Sequence, residues 1–547
     1  MFKIKSRDLL GRLGELTTKR GQLETPTLLP VVNPLRQLIS PSELFEMGFK
    51  AIITNAYSLL RHRREEALSL GVHELLGYPG IVMTDSGAYQ LLLYGEVEAQ
   101  PDEIVEFQES IGSDIAVILD VPTGFKSSRA KAEETVKVTL DRAKRLFEQP
   151  RKPGTLWVGP VQGGNWLDLV RLCSEELSKL PFHLYALGSP TKVMEQYMFD
   201  LLVDMIATAK QYLPPEKPFH LFGAGHPLMF PLAVALGCDT FDSASYAIYA
   251  RQGRYMYEGG TLKLEDLEYL PCSCPVCSSL TAKELKTMER VEVEKALARH
   301  NLYVCLSEVK KIKQAIIEGR LWELLEVKAR SHPSMMRALR KLTAYSKLLE
   351  KGTPLSKERG LFFYDEASLY RPEVLRFKSR VKERVKPAKE ASFLLLLPEA
   401  PTKPYGRDRR VQLLIKKLRR ELGEDLKKLQ VCFYAPPLGV VPIELDELYP
   451  ASQHEKPPAL AEKLAREVAS DVAEYVDKGN FKAIVYCHAT WAGEVYDAVL
   501  RTCLRRGLLF KAVEFTGKPW RRRGLEEAIK SVIAAVKETL TIEKSRG

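Results

Sequence analysis

Three cysteines, Cys272, Cys274 and Cys277, fall within the stretch PCSCPVC, although the whole 547-residue chain has only nine. C-x-C-x2-C spacing can deliver three thiolates to one ion, one ligand short of a closed tetrahedral site. His300 in ALARHN, on a stretch with helical spacing that can fold back, is the expected fourth ligand, and Cys305 a turn and a half beyond is its competitor. Thiolates with an imidazole suit zinc, and four protein ligands leave no position for water, so the expected site is structural. An iron–sulfur cluster would normally take four cysteines. Three thiols without an ion are disfavoured, because a tight reduced cluster is reactive.

A second set of residues stands at the ends of short apolar runs: Asn55, Asp85, Asp120, Gln162, Gly188, Gly223 to His226, and Asp242. The runs are TPTLLPVVN, KAIITNAY, GIVMTDSG, IAVILDVP, TLWVGPVQGG, FHLYALG, FHLFGAG and CDTFDSA, with amphipathic stretches such as AEETVKVTLDRAKRLFEQ between them. Eight such units in about 250 residues predict an α/β chain that begins with a (β/α)8 barrel, whose chemistry sits at the C-terminal ends of its strands. An open doubly wound sheet is the rival, but it usually has fewer units. One aspartate after a strand is most often a helix N-cap. Three converging on one mouth, two of them in the small-residue settings DSGAYQ and FDSASY, resist that explanation.

These elements divide the chain into a catalytic barrel at 1–265, a zinc-binding helical subdomain at 266–350, a basic linker or helical connector at 351–390, and a separate small α/β domain at 391–547. In the last of these, ASFLLLLPEA, LQVCFYAPP, FKAIVYCHA and LFKAVEF read as strands among helices.

Hydrophobic content of 45% and charged content of 28% describe a soluble globular protein and exclude disordered and fibrous classes. The opening MFKIKSRDLLGRLGELTTKRG carries charges throughout and lacks the apolar core of a signal peptide. No apolar run approaches the roughly 20 residues of a membrane span. The expected location is therefore the cytoplasm, with no membrane partner, where thiols stay reduced. A net charge of +11 favours a polyanionic partner. Two basic stretches stand out: residues 371–390, with eight Lys/Arg against three Glu, and GKPWRRRG, where Trp520 precedes Arg521, Arg522 and Arg523. An aromatic ring beside guanidiniums suits stacking on bases and contact with phosphates, and equally suits the start of a surface helix.

DSGAYQ, ILDVPT, HLFGAGHP, FDSASYAIYA and PCSCPVC, in this order and spacing, closely resemble the archaeal tRNA-guanine transglycosylases over roughly residues 1–350. That resemblance implies a zinc-bearing (β/α)8 barrel that replaces guanine at position 15 of the tRNA D-loop with 7-cyano-7-deazaguanine (preQ0), on the way to archaeosine. By the same resemblance, Asp242 is the nucleophile that attacks the ribose anomeric carbon, and Asp85 is the general acid/base. Asp120 and Gln162 are the base readers, Tyr89 stacks on the base, and Gly188 lets backbone amides approach its edge. The target nucleotide must leave its stack. Related barrels commonly dimerise, so a homodimer is expected.

Some positions depart from the family pattern. Ala88 and Tyr89 stand where Ser and Phe are common, and Ser189 replaces a second glycine after Gly188. Many members end in a β-rich PUA domain, whereas this sequence finishes in the helical GLEEAIKSVIAAVKETLTIEKSRG, so a separate PUA-bearing chain is a possible partner. Residues 391–535 are instead similar to the core α/β domain of archaeosine synthase, through TKPYGRD and PLGVVPIELDELYPASQHE. The synthase motif has a Cys before KPY and Ser and His after it. Here Glu399, Ala400 and Pro401 precede Lys403, and Gly406, Arg407 and Asp408 follow Tyr405. A tRNA-docking or partner-binding role for that domain is therefore expected. Two alternatives to base exchange are a synthase-like enzyme acting on preQ0 already in tRNA, and a non-catalytic tRNA-binding scaffold.

Overall fold

The computed structural model describes residues 1–88, 100–514, 520 and 525–546. The chain divides into two compact units, Met1–Pro354 and Leu355–Gly547.

The first unit opens with an antiparallel sheet of β1 (Phe2–Asp8), β2 (Gly11–Thr18) and β3 (Gly21–Thr25). Every apolar run expected as a barrel strand is one. β4 (Thr27–Val32), β5 (Ala51–Asn55), β6 (Ile81–Asp85), β7 (Ile115–Val117), β8 (Leu156–Val161), β9 (Leu184–Leu187), β10 (Phe219–Leu221) and β11 (Thr240–Ser243) pair in sequence order, and β11 closes onto β4. Both faces of such strands are covered, which is why they read as nearly continuous apolar segments. One face of the barrel supplies an inner layer that includes Leu29, Ile53, Met83, Val117, Val158 and Ala186, and Leu16 and Leu23 of the first sheet join it. Burying each such aliphatic side chain is worth about 1.5–3 kcal/mol. On the outside, the helix Arg129–Leu146 buries Val136, Leu140 and Ala143, and its Ser128 cap accepts the Lys131 N–H.

After β11 the chain makes a hairpin of β12 (Arg254–Tyr257) and β13 (Gly260–Lys263) and then becomes helical. Its longest helix, Arg290–Glu318, ends at Gly319, whose φ of 68° suits a residue without a Cβ. Asn301 pins this helix to the hairpin: its Oδ1 accepts the Met256 N–H at 2.9 Å, and its Nδ2 donates to the Tyr246 and Arg254 carbonyls at 3.3 Å each.

In the second unit, β14 (Leu361–Phe362) pairs with β18 (His454–Glu455). The main sheet has the order β17 (Gly439–Pro442), β16 (Leu429–Ala435), β15 (Phe393–Pro398), β19 (Ala483–His488), β20 (Leu509–Glu514). All its neighbours are parallel except the β16–β17 pair. Within the basic 371–390 stretch, Pro372–Arg384 is a helix that buries Val374, Phe377 and Val381 in this unit's core. Part of its charge is spent internally, because Lys378 pairs with Asp471 at 2.5 Å and Lys382 with Glu474 at 2.7 Å. The expectation for Trp520 is overturned. Its ring is buried in the core, 2% exposed, with Nε1 donating to the Pro398 carbonyl at 3.2 Å, so it presents no face to a base. The neighbouring Arg521, Arg522 and Arg523 lie outside the described residues. Among the described residues, no helix is long and apolar enough to cross a membrane.

Candidate active site and metal centre

Asp85, Asp120, Gln162, Gly188 and Asp242 all stand at or just past the C-terminal ends of barrel strands. Tyr89 lies outside the described residues. The loops at this mouth are held by hydrogen bonds that also orient the side chains.

Asp85 ends β6 in register with Asn55 at the end of β5. The Asn55 side chain works at both ends: its Oδ1 accepts the Ser58 N–H as a helix cap, and its Nδ2 donates to Asp85 Oδ2 at 3.4 Å. Burial, with the charges of Asp120 and then Asp242, lifts the Asp85 carboxyl from 3.8 to about 7, against the pull of the Gly87 and Ser86 amides. Asp120 and Asp242 thus both lie close enough for their charges to act on Asp85. A carboxyl group near 7 can give and take a proton at neutral pH.

Asp120 is 5% exposed, and burial raises its carboxyl to about 6 although Gln162 donates to it. The Gln162 amide is fully directed. Its Oε1 accepts the Thr123 N–H at 2.9 Å and the Ser189 hydroxyl at 3.0 Å, and its Nε2 donates to Asp120 Oδ2. A backbone N–H can only donate, so the oxygen must face Thr123 and the nitrogen must face Asp120. Thr123 is itself anchored, its Oγ1 lying 2.7 Å from Thr135 Oγ1 and accepting the Gly163 N–H.

Gly188 is tied into the barrel itself. Its N–H donates to the Val161 carbonyl at 2.8 Å, within the barrel wall. A Cβ there would meet Gln162 Nε2 at 2.2 Å, so the glycine makes room for the glutamine. Ser189 adopts φ of 60°, a left-handed conformation costing a non-glycine residue roughly 1–2 kcal/mol. Its hydroxyl is the one that bonds Gln162.

Asp242, on β11, is 8% exposed. The glycine-rich turn after β10 wraps it: the Gly223 N–H donates to its Oδ1 at 2.9 Å and the Ala224 N–H to its backbone carbonyl at 2.8 Å. His220, which sequence reasoning passed over, lies with Nε2 3.1 Å from the same Oδ1. Its signal was a histidine at the second position of the apolar run FHLFGAG. His226, one of the run-end residues, is satisfied elsewhere, accepting the Leu228 N–H and donating to the Gly260 carbonyl. Ser243 Oγ ties the turn down by donating to the Gly225 carbonyl at 3.1 Å.

Away from the mouth, the ligand atoms of Cys272, Cys274, Cys277 and His300 all lie within 4.8 Å of one another. His300 Nδ1 is 3.3 Å from Cys277 Sγ and 3.5 Å from Cys274 Sγ, close to the ligand separations of a tetrahedral ion with legs of about 2.0–2.3 Å. Its Nε2 donates to the Met256 carbonyl at 2.7 Å, which leaves the Nδ1 lone pair for an ion. The Tyr255 ring stacks on the imidazole at 3.6 Å, and its hydroxyl lies 3.3 Å from Cys277 Sγ. The donor set fits a metal, and His300 rather than Cys305 completes it.

Carboxylates gathered at the C-terminal mouth of a closed parallel barrel mark a barrel enzyme. Comparison with known families narrows the class, because the family described as queuine tRNA-ribosyltransferase matches residues 8–334. The chain belongs to that family of transferases. Residues 374–521 match a second family, described as a domain of unknown function, DUF5591. Among curated proteins, the tRNA-guanine(15) transglycosylase of Aeropyrum pernix is 44% identical over 514 residues, 91% of this chain and 97% of that protein. The proteins of the same name from Methanocaldococcus jannaschii and Pyrobaculum aerophilum are 43% and 45% identical. They align over 83% of this chain, and over 68% and 90% of their own lengths.

Proposed function

We propose that this protein exchanges guanine at position 15 of the tRNA D-loop for preQ0, the tRNA-level step towards archaeosine. The observation that carries the reading is the electrostatic grouping of Asp85, Asp120 and Asp242 at one barrel mouth, with Asp85 lifted to about 7.

In the first half-reaction a carboxylate oxygen of Asp242 bonds to the ribose anomeric carbon as the bond to guanine breaks. The electron pair leaves with the purine, which takes a proton from Asp85. Negative charge beside an oxocarbenium-like centre stabilises the transition state, as in retaining glycosidases. In the second half, preQ0 yields its proton to Asp85, attacks the anomeric carbon, and returns the bonding pair to Asp242. Asp120 accepts from ring N–H and exocyclic amine groups that both bases share, and Gln162, whose Oε1 is taken by Thr123 and Ser189, adds its second Nε2–H as a donor. Cys272, Cys274, Cys277 and His300 would hold zinc. Four protein ligands close such an ion and tie the PCSCPVC segment to the long helix.

The test is release of radiolabelled guanine from position 15 of a matched tRNA when unlabelled preQ0 is supplied. Exchange by the wild type and its loss in Asp242→Asn support the proposal. Nitrile conversion without exchange, or tRNA binding without either, would replace it.

A further inference from the structure

We propose that His220 is a positioning residue for Asp242, locking Oδ1 so that Oδ2 is the oxygen that bonds to the ribose. The inference rests on the reading of Asp242 as nucleophile.

His220 lies on β10 in parallel register with Thr240 of β11 and Ala186 of β9. Ala186 belongs to the inner layer of the barrel, as does Leu29, the register partner of Asp242. His220 and Asp242 therefore share the inward face, two strand positions apart in register. An imidazole in the wall of an apolar barrel costs free energy unless its nitrogens are bonded. Here both are used: Nδ1 is 2.9 Å from Thr240 Oγ1, and Nε2 is 3.1 Å from Asp242 Oδ1. A carboxylate only accepts, so Nε2 carries a proton and donates it to Oδ1, while Nδ1 pairs with the Thr240 hydroxyl. The ring is 0% exposed, so His220 touches neither tRNA nor base and acts only through Asp242.

Two N–H donors, from His220 and Gly223, converge on that single oxygen. The terminal torsion of an aspartate is soft and broad, so an unheld carboxylate would rotate. Attack requires a reacting oxygen held within about 3–3.5 Å of its target in the right direction. Fixing Oδ1 against the barrel wall aims Oδ2 at the mouth.

The same donors bear unequally on the two half-reactions. When Oδ2 bonds to the anomeric carbon, Oδ1 becomes an ester carbonyl and loses negative charge, so its hydrogen bonds weaken. They strengthen again when preQ0 attacks, the Oδ2–carbon bond breaks, and the pair returns to the carboxylate. Removing a donor should therefore slow turnover while the covalent complex forms a larger share of the enzyme.

The experiment measures exchange kinetics and denaturant-stable tRNA adduct in His220→Phe, His220→Gln and Thr240→Val. For His220→Phe, we expect kcat to fall by roughly 10- to 100-fold, within or below the range for removing one preorganised donor. KM for tRNA stays unchanged, and the adduct fraction without added base rises. His220→Gln, which restores an N–H near Nε2, recovers about tenfold of that loss. Thr240→Val, which frees the ring to rotate, shows the same signature a few-fold in size and guards against misfolding of the Phe variant. Wild-type kcat in His220→Phe, or equal losses in the Phe and Gln variants, would assign the ring to packing and overturn the inference. Persistent exchange in Asp242→Asn would instead overturn the reading on which it rests.

Discussion

Gln162 donates from Nε2 to Asp120 Oδ2 while its Oε1 accepts the Thr123 N–H and the Ser189 hydroxyl, so the two side chains form one directed pair. Gln162 could not be exchanged for its isostere without turning a donor into an acceptor, because Gln162→Glu would place two carboxylates side by side.

Ser189 provides a test of that pairing. Ser189→Ala removes one of the two donors to Gln162 Oε1 and leaves Thr123 as the other. Loss of one neutral hydrogen bond is worth about 0.5–1.5 kcal/mol. We expect the KM for the incoming base to rise roughly 2- to 10-fold with little change in kcat. Gly188→Ala, whose Cβ would meet Gln162 Nε2 at 2.2 Å, should do far more damage. Equal kinetics for the two variants would mean that Gln162 is not held as described.

Asp85 links activity to stability through pH. Its carboxyl is raised from 3.8 to about 7 by burial and by the charges of Asp120 and Asp242, so the folded chain holds that proton more tightly than the unfolded chain. Ionising it costs folding free energy that grows as pH rises from about 4 to about 7 and is constant above that, of order a few kcal/mol. Asp85→Asn removes the cost. It should abolish exchange yet melt several °C above the wild type at pH 8, with the gap closing near pH 4. In the wild type, kcat/KM should bend near pH 7. Matching melting temperatures at pH 8 would show that Asp85 ionises freely.

The barrel was legible because parallel strands buried on both faces leave uninterrupted apolar runs, and KAIITN or IAVIL cannot be hidden by surface charge. The aspartates were legible for the same reason, since a run end in a barrel is a place in space. β1 was missed because FKIKSRD alternates apolar and charged residues, with one side partly buried and the other exposed, and its charges dominated the reading. His220 was missed because it lies inside a run, where only its pairing with Thr240 and Asp242 on the neighbouring strand gives it meaning. Trp520 was misread because sequence neighbours do not decide which way a ring turns; its Nε1–H meets the Pro398 carbonyl inside the sheet's core. The choice between His300 and Cys305 needed the helix and hairpin in place, since both lie on one helix.

That choice yields the last prediction. The Met256 carbonyl takes the Nε2–H of His300 and turns Nδ1 towards the thiols of Cys274 and Cys277. Cys305 is 1% exposed, and burial pushes its thiol well up, away from the thiolate that a metal requires. The purified protein should therefore carry about one zinc per chain. Cys274→Ser and His300→Ala should each lower both zinc content and melting temperature, because metal-binding energy is folding energy where the site closes a fold. Cys305→Ser should keep its zinc and lose only the small stability of a changed core contact. Zinc lost from Cys305→Ser and kept in His300→Ala, measured by elemental analysis after dialysis against a weak chelator, would exchange the roles of the two residues.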